Sequence, residues 1–155
     1  LADIAAAANI TKGTLFYYYN SKELIFEDIT VEYLNGLEER FYSWVNNASK
    51  DTSFPRLAKY VLDFGARYGE RSKVHIYLVN KALSDNKQLC DLFREKYLSW
   101  REIIKRTVAE RIDDKEKAEG YADLLLILID GLIVQDLVGI ENVDTKKLVS
   151  LILDK

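Results

Sequence analysis

Apolar residues recur at every third or fourth position along most of this chain, the period of helices with one face turned inward. Ile25, Ile29, Tyr33, Leu37, Phe41 and Trp44 form the longest such stripe and predict a single helix over 22–46. At 1.5 Å per residue it would extend roughly 37 Å. The polar, turn-rich segment 46–53 ends it. Leu57, Tyr60, Val61, Phe64 and Tyr68 predict the next helix, with Thr52 or Ser53 as its cap and Pro55 in its first turn. Val74, Tyr77, Leu78 and Leu83 predict another over 72–83, closed by a turn at Ser84, Asp85 and Asn86. The period resumes over 87–112 with Leu89, Leu92, Phe93, Tyr97, Trp100, Ile103, Ile104 and Val108. Asp113 and Glu116 have the spacing of a capping box for the helix that follows. No stretch alternates as a strand would, and no segment repeats.

The helix expected over 115–139 has a different character. Its centre, LLLILIDGLIV, is apolar on nearly every side. Such a helix has to be covered all round. Leu148, Val149, Leu151 and Ile152 add a second apolar stripe on the last helix. Two arrangements satisfy this pattern. The helix is the centre of a monomer's core, or the two helices pair with their copies in a second chain.

The first 24 residues read as two short helices around a tight turn, then the start of the long helix. Residues 4–8 are almost all small, which suits a helix that another packs against closely. Asn9 tolerates the left-handed conformation that ends a helix. Ile10 is expected as an apolar plug in the turn. Thr11 can cap the second helix, over 11–19, through its hydroxyl. Leu15 and Tyr19, four apart, share its inward face. Thr14, Phe16, Tyr17 and Tyr18 point elsewhere. Asn20 and Glu23 form a capping-box pair for the long helix.

Composition narrows the function classes. The 155 residues are 48% hydrophobic, enough for a real core, and seven Gly with one Pro fit a mostly helical chain. Together these predict an all-α fold. The single Cys90 cannot form a disulfide within the chain and fits a reducing compartment. The longest apolar run, 124–129, is far short of the roughly 20 residues that span a bilayer. A net charge of −3 argues against a protein whose whole body coats DNA, but leaves room for a small reading head on an acidic body. No Ser/His/Asp set, metal-ligand cluster or Gly-rich phosphate loop is present, so no enzyme, no metal and no cofactor is expected. Lone His75 lies in a charged stretch, where a surface or capping role is expected. Cys90 is expected as a small buried residue.

Ile4, Ala5, Ala8, the run from Ile10 through Leu15, the aromatic run from Phe16 to Tyr19, and Ser21, Lys22, Glu23 and Leu24 together resemble the helix-turn-helix of the TetR/AcrR transcriptional regulators. The match is dense over about 25 residues. It departs at Asn9, where the family commonly has Gly, and at Phe16, which lacks a hydroxyl often found there. The resemblance implies an N-terminal helix-turn-helix DNA-binding head over 1–30, its first helix missing from the sequence as given. It implies a helical effector-binding and dimerisation domain over 31–155. The expected function is that of a DNA-binding transcriptional regulator, most simply a ligand-released repressor. A homodimer would read a palindromic double-stranded operator through the helix over 11–19. A helical small-molecule or partner-binding module without sequence-specific DNA binding is the alternative. The protein would be bacterial and cytoplasmic, nucleoid-associated through its operator, with no membrane partner.

In that reading the second helix enters the major groove. Gly13 lets backbone approach closely, Thr14 meets a base edge or a thymine methyl, and Lys12 and Lys22 meet phosphates with Thr11 donating to one. Tyr17 and Tyr18 offer hydroxyls, and Phe16 an apolar contact. Tyr60, Phe64, Tyr68, Tyr77, Tyr97, Trp100 and Tyr121 are the candidate effector-pocket residues, which suggests a small, bulky, mostly apolar effector. The resemblance places dimerisation on the last two helices, through Leu125, Leu128, Ile129, Leu132, Leu148, Leu151 and Ile152. A ligand behind the long helix would tilt it like a lever and alter the spacing of two heads.

Overall fold

The computed structural model describes residues 1–47, 52–66, 69–140 and 143–153. Among these the secondary structure is all α-helix: α1 Ala2–Ala7, α2 Lys12–Tyr18, α3 Lys22–Asn47, α4 Phe54–Ala66, α5 Glu70–Asp85, α6 Lys87–Ala109, α7 Lys115–Leu137 and α8 Thr145–Leu153. The chain is all-α, as its periodicity predicts. It divides into two compact units, Leu1–Arg40 and Phe41–Lys155, and the division falls inside α3.

In the first unit Ala5, Leu15 and Ile25 are buried together, one from each helix, with Leu1, Ile4 and Tyr19 packed against them. The turn between α1 and α2 is set by backbone chemistry. Asn9 takes a left-handed φ of 54°. Its N–H bonds to Ala6 O, and that of Ile10 to Ala5 O, so two carbonyls at the end of α1 are satisfied. Ile10 is not the apolar plug expected of it; it is exposed, because the turn turns it outward. Thr11 caps α2, its Oγ1 accepting from the N–H of Thr14 at 3.0 Å. The start of α3 differs from the capping box expected at Asn20 and Glu23. Ser21 Oγ accepts from the N–H of Leu24 instead.

The apolar stripe of α3 is also shifted. Ile25, Leu34, Leu37 and Phe41 are buried, and so is Thr30, whose hydroxyl donates to Phe26 O. Ile29 is exposed. Half of the polar segment 46–53 expected to end α3, residues 48–51, falls outside the described residues.

In the second unit α7 is central. It packs on α4, α5 and α6, and α8 packs on α4. Gly65 permits the close crossing of α4 and α7: a Cβ there would meet Ile129 Cα at 3.1 Å. Asn86 serves as corner, ending α5 and capping α6 through Leu89 N–H. The cap of α7 is Asp114, not Asp113; its Oδ1 accepts from Lys117 N–H at 3.1 Å. Helices α6 and α7 run antiparallel, tied by the ion pairs Lys105–Glu119 and Arg101–Asp123.

Candidate nucleic-acid interface

Helix α2 has seven residues and one buried side chain, Leu15. That single anchor, with half-buried Tyr19 beyond the helix end, leaves the remaining positions exposed. Tyr19 is held by its hydroxyl, which donates to Asp28 Oδ2 at 2.7 Å across to α3. The carboxylate and burial both raise its pKa, so it stays a phenol. With the inward face fixed by these two residues, Thr11, Lys12, Gly13, Thr14, Phe16, Tyr17 and Tyr18 all lie on the exposed surface, as does Lys22 at the start of α3.

Their chemistry is graded along the surface. At the N-terminal end, Thr11 Oγ1 and Thr14 Oγ1 lie 2.8 Å apart, sharing a hydrogen bond. Gly13 faces open space except for Thr11 Oγ1, which a Cβ would meet at an ordinary 3.8 Å. Lys12 Nζ sits 5.5 Å over the Phe16 ring, and Lys22 Nζ 5.6 Å over Phe26. Each ring therefore carries a cation over its face, which restrains a flexible side chain without neutralising it. Tyr17 is 83% exposed and Tyr18 70%, their rings edge to face at 5.0 Å. Two large aromatic side chains this exposed gain little from folding.

Tyr97 and Trp100 meet on α6, ring centroids 5.1 Å apart. Tyr121 packs on Phe54, and Phe64 on Phe41. Tyr60 and Tyr77 are about half exposed, and Tyr68 lies outside the described residues. A cleft of about 490 Å³ opens elsewhere, among Lys59, Asp63, Leu132, Asp136, Asp144 and Thr145. Its carboxylates are engaged by the fold. Thr145 and Lys59 donate to Asp63, Ser72 and Gly69 to Asp136, and Asp144 caps α8.

Two polar residues carry more than their sequence context signals. His75 is not at the surface; it is 4% exposed, edge-on to Phe93, with Nε2 3.3 Å from Tyr97 Oη. Tyr97 Oη donates to Asp130 Oδ1 at 2.9 Å. Burial lowers the His75 pKa to about 4 and raises that of Asp130. An Asp inside an apolar run was the available signal for Asp130; nothing local marks His75. Cys90 is half-buried.

On the last helices, Leu125, Ile129 and Leu132 are taken up by the chain's own core. Leu128, Leu148 and Ile152 are half-buried and Leu151 is exposed. The outward face of α7 is instead Gly120, Leu124, Ile127, Gly131, Val134 and Val138. Among the described residues no group of acids, His or Cys is placed to hold a metal ion, and no helix is long and apolar enough to cross a membrane.

Residues 1–29 match a family model described as bacterial regulatory proteins, tetR family. That segment holds α1, α2 and the first turns of α3, the same residues that form the exposed surface above. No curated protein and no solved structure matches the chain.

Proposed function

We propose that this chain, whose residues 1–29 match the DNA-binding head of the tetR family, is a transcription regulator, and more closely a ligand-released repressor acting as a homodimer on a palindromic operator in the bacterial cytoplasm. The observation that carries most weight is the surface of α2. A helix that buries Leu15 and leaves two tyrosines, a glycine and a threonine exposed is built to lie against something else. The major groove is wide enough to take it. Gly13 and Thr14 sit at its N-terminal end, where a groove-reading helix meets base edges. Lys12 and Lys22 meet phosphates, and the hydroxyls of Tyr17 and Tyr18 add hydrogen bonds to the backbone.

A second copy is proposed to pair along α7. The exposed positions Gly120, Leu124, Ile127, Gly131, Val134 and Val138 follow one another at alternating spacings of four and three, the seam of a helix that packs on another helix. Val138 is 68% exposed and Ile127 66%. Nothing lies within 4 Å of where a Cβ would be at Gly120 or Gly131, so a partner helix can approach closely at both. Leu128, Leu148, Leu151 and Ile152 would flank this seam. The effector is proposed to bind the unit Phe41–Lys155 and to favour the conformation with lower DNA affinity. That difference in affinity is the whole of the regulation.

The test is selection of a binding site from a random duplex pool, followed by titration with salt. A palindromic consensus, bound specifically and weakened steeply by salt, is the expected result. Gly13→Glu places a carboxylate and its bulk at the groove and should abolish binding, with an unchanged circular dichroism melt. Retained binding would remove α2 from the groove. No sequence preference at any salt would favour a helical binding module instead.

A further inference from the structure

The contact line between α6 and α7 has a polar rung at each of three levels. Lys105 pairs with Glu119 and Arg101 with Asp123. The third rung is Tyr97 with Asp130, which has an acid but no base. Among the described residues no Lys or Arg acts on Asp130, and its Oδ2 has no hydrogen-bond partner. His75, whose Nε2 lies 3.3 Å from Tyr97 Oη, is held neutral at pH 7 by burial and supplies no charge. Asp130 is itself half-buried within the most apolar run of the chain. A carboxylate taken partly out of water is costly unless something compensates it. One phenol hydrogen bond compensates one oxygen only.

The surroundings on α6 are aromatic. The Trp100 ring lies 5.1 Å from that of Tyr97. Its indole N–H is enclosed with no hydrogen-bond partner among the described residues. A carboxylate held by one tyrosine of an aromatic pair is a combination that attracts a cation with an apolar body, the charge drawing the cation and the rings its apolar part. An anionic ligand would be repelled by Asp130, and a neutral donor would gain a hydrogen bond but no charge pairing.

We propose that Asp130, with the rings of Tyr97 and Trp100, anchors an organic cation: an effector bearing an amine or quaternary ammonium on an apolar body. This rests on the reading of Phe41–Lys155 as the effector-binding unit and narrows the mostly apolar effector suggested by the aromatic composition. The ammonium would lie against Asp130 Oδ2 and the apolar body against the α6 aromatics. The Tyr97–Asp130 hydrogen bond stays in place and holds the carboxylate in position.

The test is calorimetric titration of the full chain at pH 7 with decyltrimethylammonium and, separately, decyl sulfate, both below self-association. It uses no DNA, so its outcome is independent of whether an operator is found. The expected result is cation binding at least tenfold tighter than anion binding. Asp130→Asn keeps the shape and the Tyr97 bond, and should remove at least tenfold of the cation's affinity without changing the anion's. Glu102→Gln, an exposed acid on the same helix as Tyr97, controls for overall negative charge and should change neither. Equal affinity for the two probes overturns the proposal. So does Asp130→Asn binding the cation as wild type does, or weakening self-association while cation affinity is unchanged; the last would assign Asp130 to the contact between copies.

Discussion

At the scale of single residues, His75 shows how far burial can override sequence context. Its neighbours are charged, yet the ring is enclosed between α5 and α6 against Phe93 and Tyr97. Burial lowers its pKa to about 4, whereas the unfolded chain titrates near the ordinary value of about 6.5. Between those values the unfolded state holds a proton that the folded state refuses. His75 therefore favours folding fully above about pH 6.5, and that contribution is lost as pH falls towards 4. Over that span it amounts to roughly 3 kcal/mol. Asp130, whose pKa burial raises, acts in the opposite sense, so a variant comparison is needed. Denaturant unfolding at pH 7 and pH 4.5 should show wild type losing roughly 2 kcal/mol more than His75→Gln. Parallel losses would mean that the ring reaches water. The residues legible in advance were those whose role is local. Asn9 and Thr11 act on backbone groups within three residues of themselves, so type and position suffice. The role of His75 is fixed by α6 and that of Asp130 by a tyrosine 33 residues away, which no local pattern encodes.

At the scale of elements, the helices were legible and their inward faces only in part. Stripes at three and four placed α4 and α6 because each has one apolar side against one polar side. The centre of α7 is apolar all round, so its period could not say which side the chain's own core would take. The structure assigns Leu125, Ile129 and Leu132 inward and Leu124, Ile127 and Val134 outward. Capping was harder still. Asp113 and Asp114, or Asn20 and Ser21, are adjacent residues of similar capping ability, and helix assignment shifts by one on such differences. Two helical glycines separate propensity from packing. Gly36 in α3 has only the far end of the Arg40 side chain nearby, at 3.7 Å, so Gly36→Ala should raise stability by up to about 1 kcal/mol. At Gly65 the same change would bring a Cβ to 3.1 Å from Ile129 Cα and 3.2 Å from its carbonyl oxygen. Backbone cannot swing aside as a side chain does. The propensity gain is therefore outweighed, and Gly65→Ala should lower stability by about 1–2 kcal/mol. Thermal or denaturant unfolding of the two variants side by side checks the contrast. A stabilised Gly65→Ala would show that α4 and α7 separate easily.

At the scale of the whole molecule, the balance of charge sets what DNA binding can look like. The sequence as given carries −3 overall, so the phosphate attraction of its own residues rests on the few cations around α2 and on their repetition in a second copy. Residues 1–24 hold Lys12 and Lys22 against Asp3 and Glu23. Each phosphate neutralised on duplex DNA contributes about −0.9 to the slope of log K against log salt. In a dimer with both heads engaged, Lys12→Ala removes two such contacts and should reduce the magnitude of the slope by about 2. In a monomer it removes one, and the reduction should be about 1. Ile127→Asp places a charge in the middle of the proposed seam, where a paired helix would have to desolvate it. Introduced first, it should yield monomers by sedimentation and bring the effect of Lys12→Ala on the slope down to about 1. The measurement is operator binding across a salt series for wild type and the single and double variants. A reduction of about 2 that survives Ile127→Asp would place the contact between copies on some other face. A reduction near 1 in the wild type would mean that one head at a time carries binding.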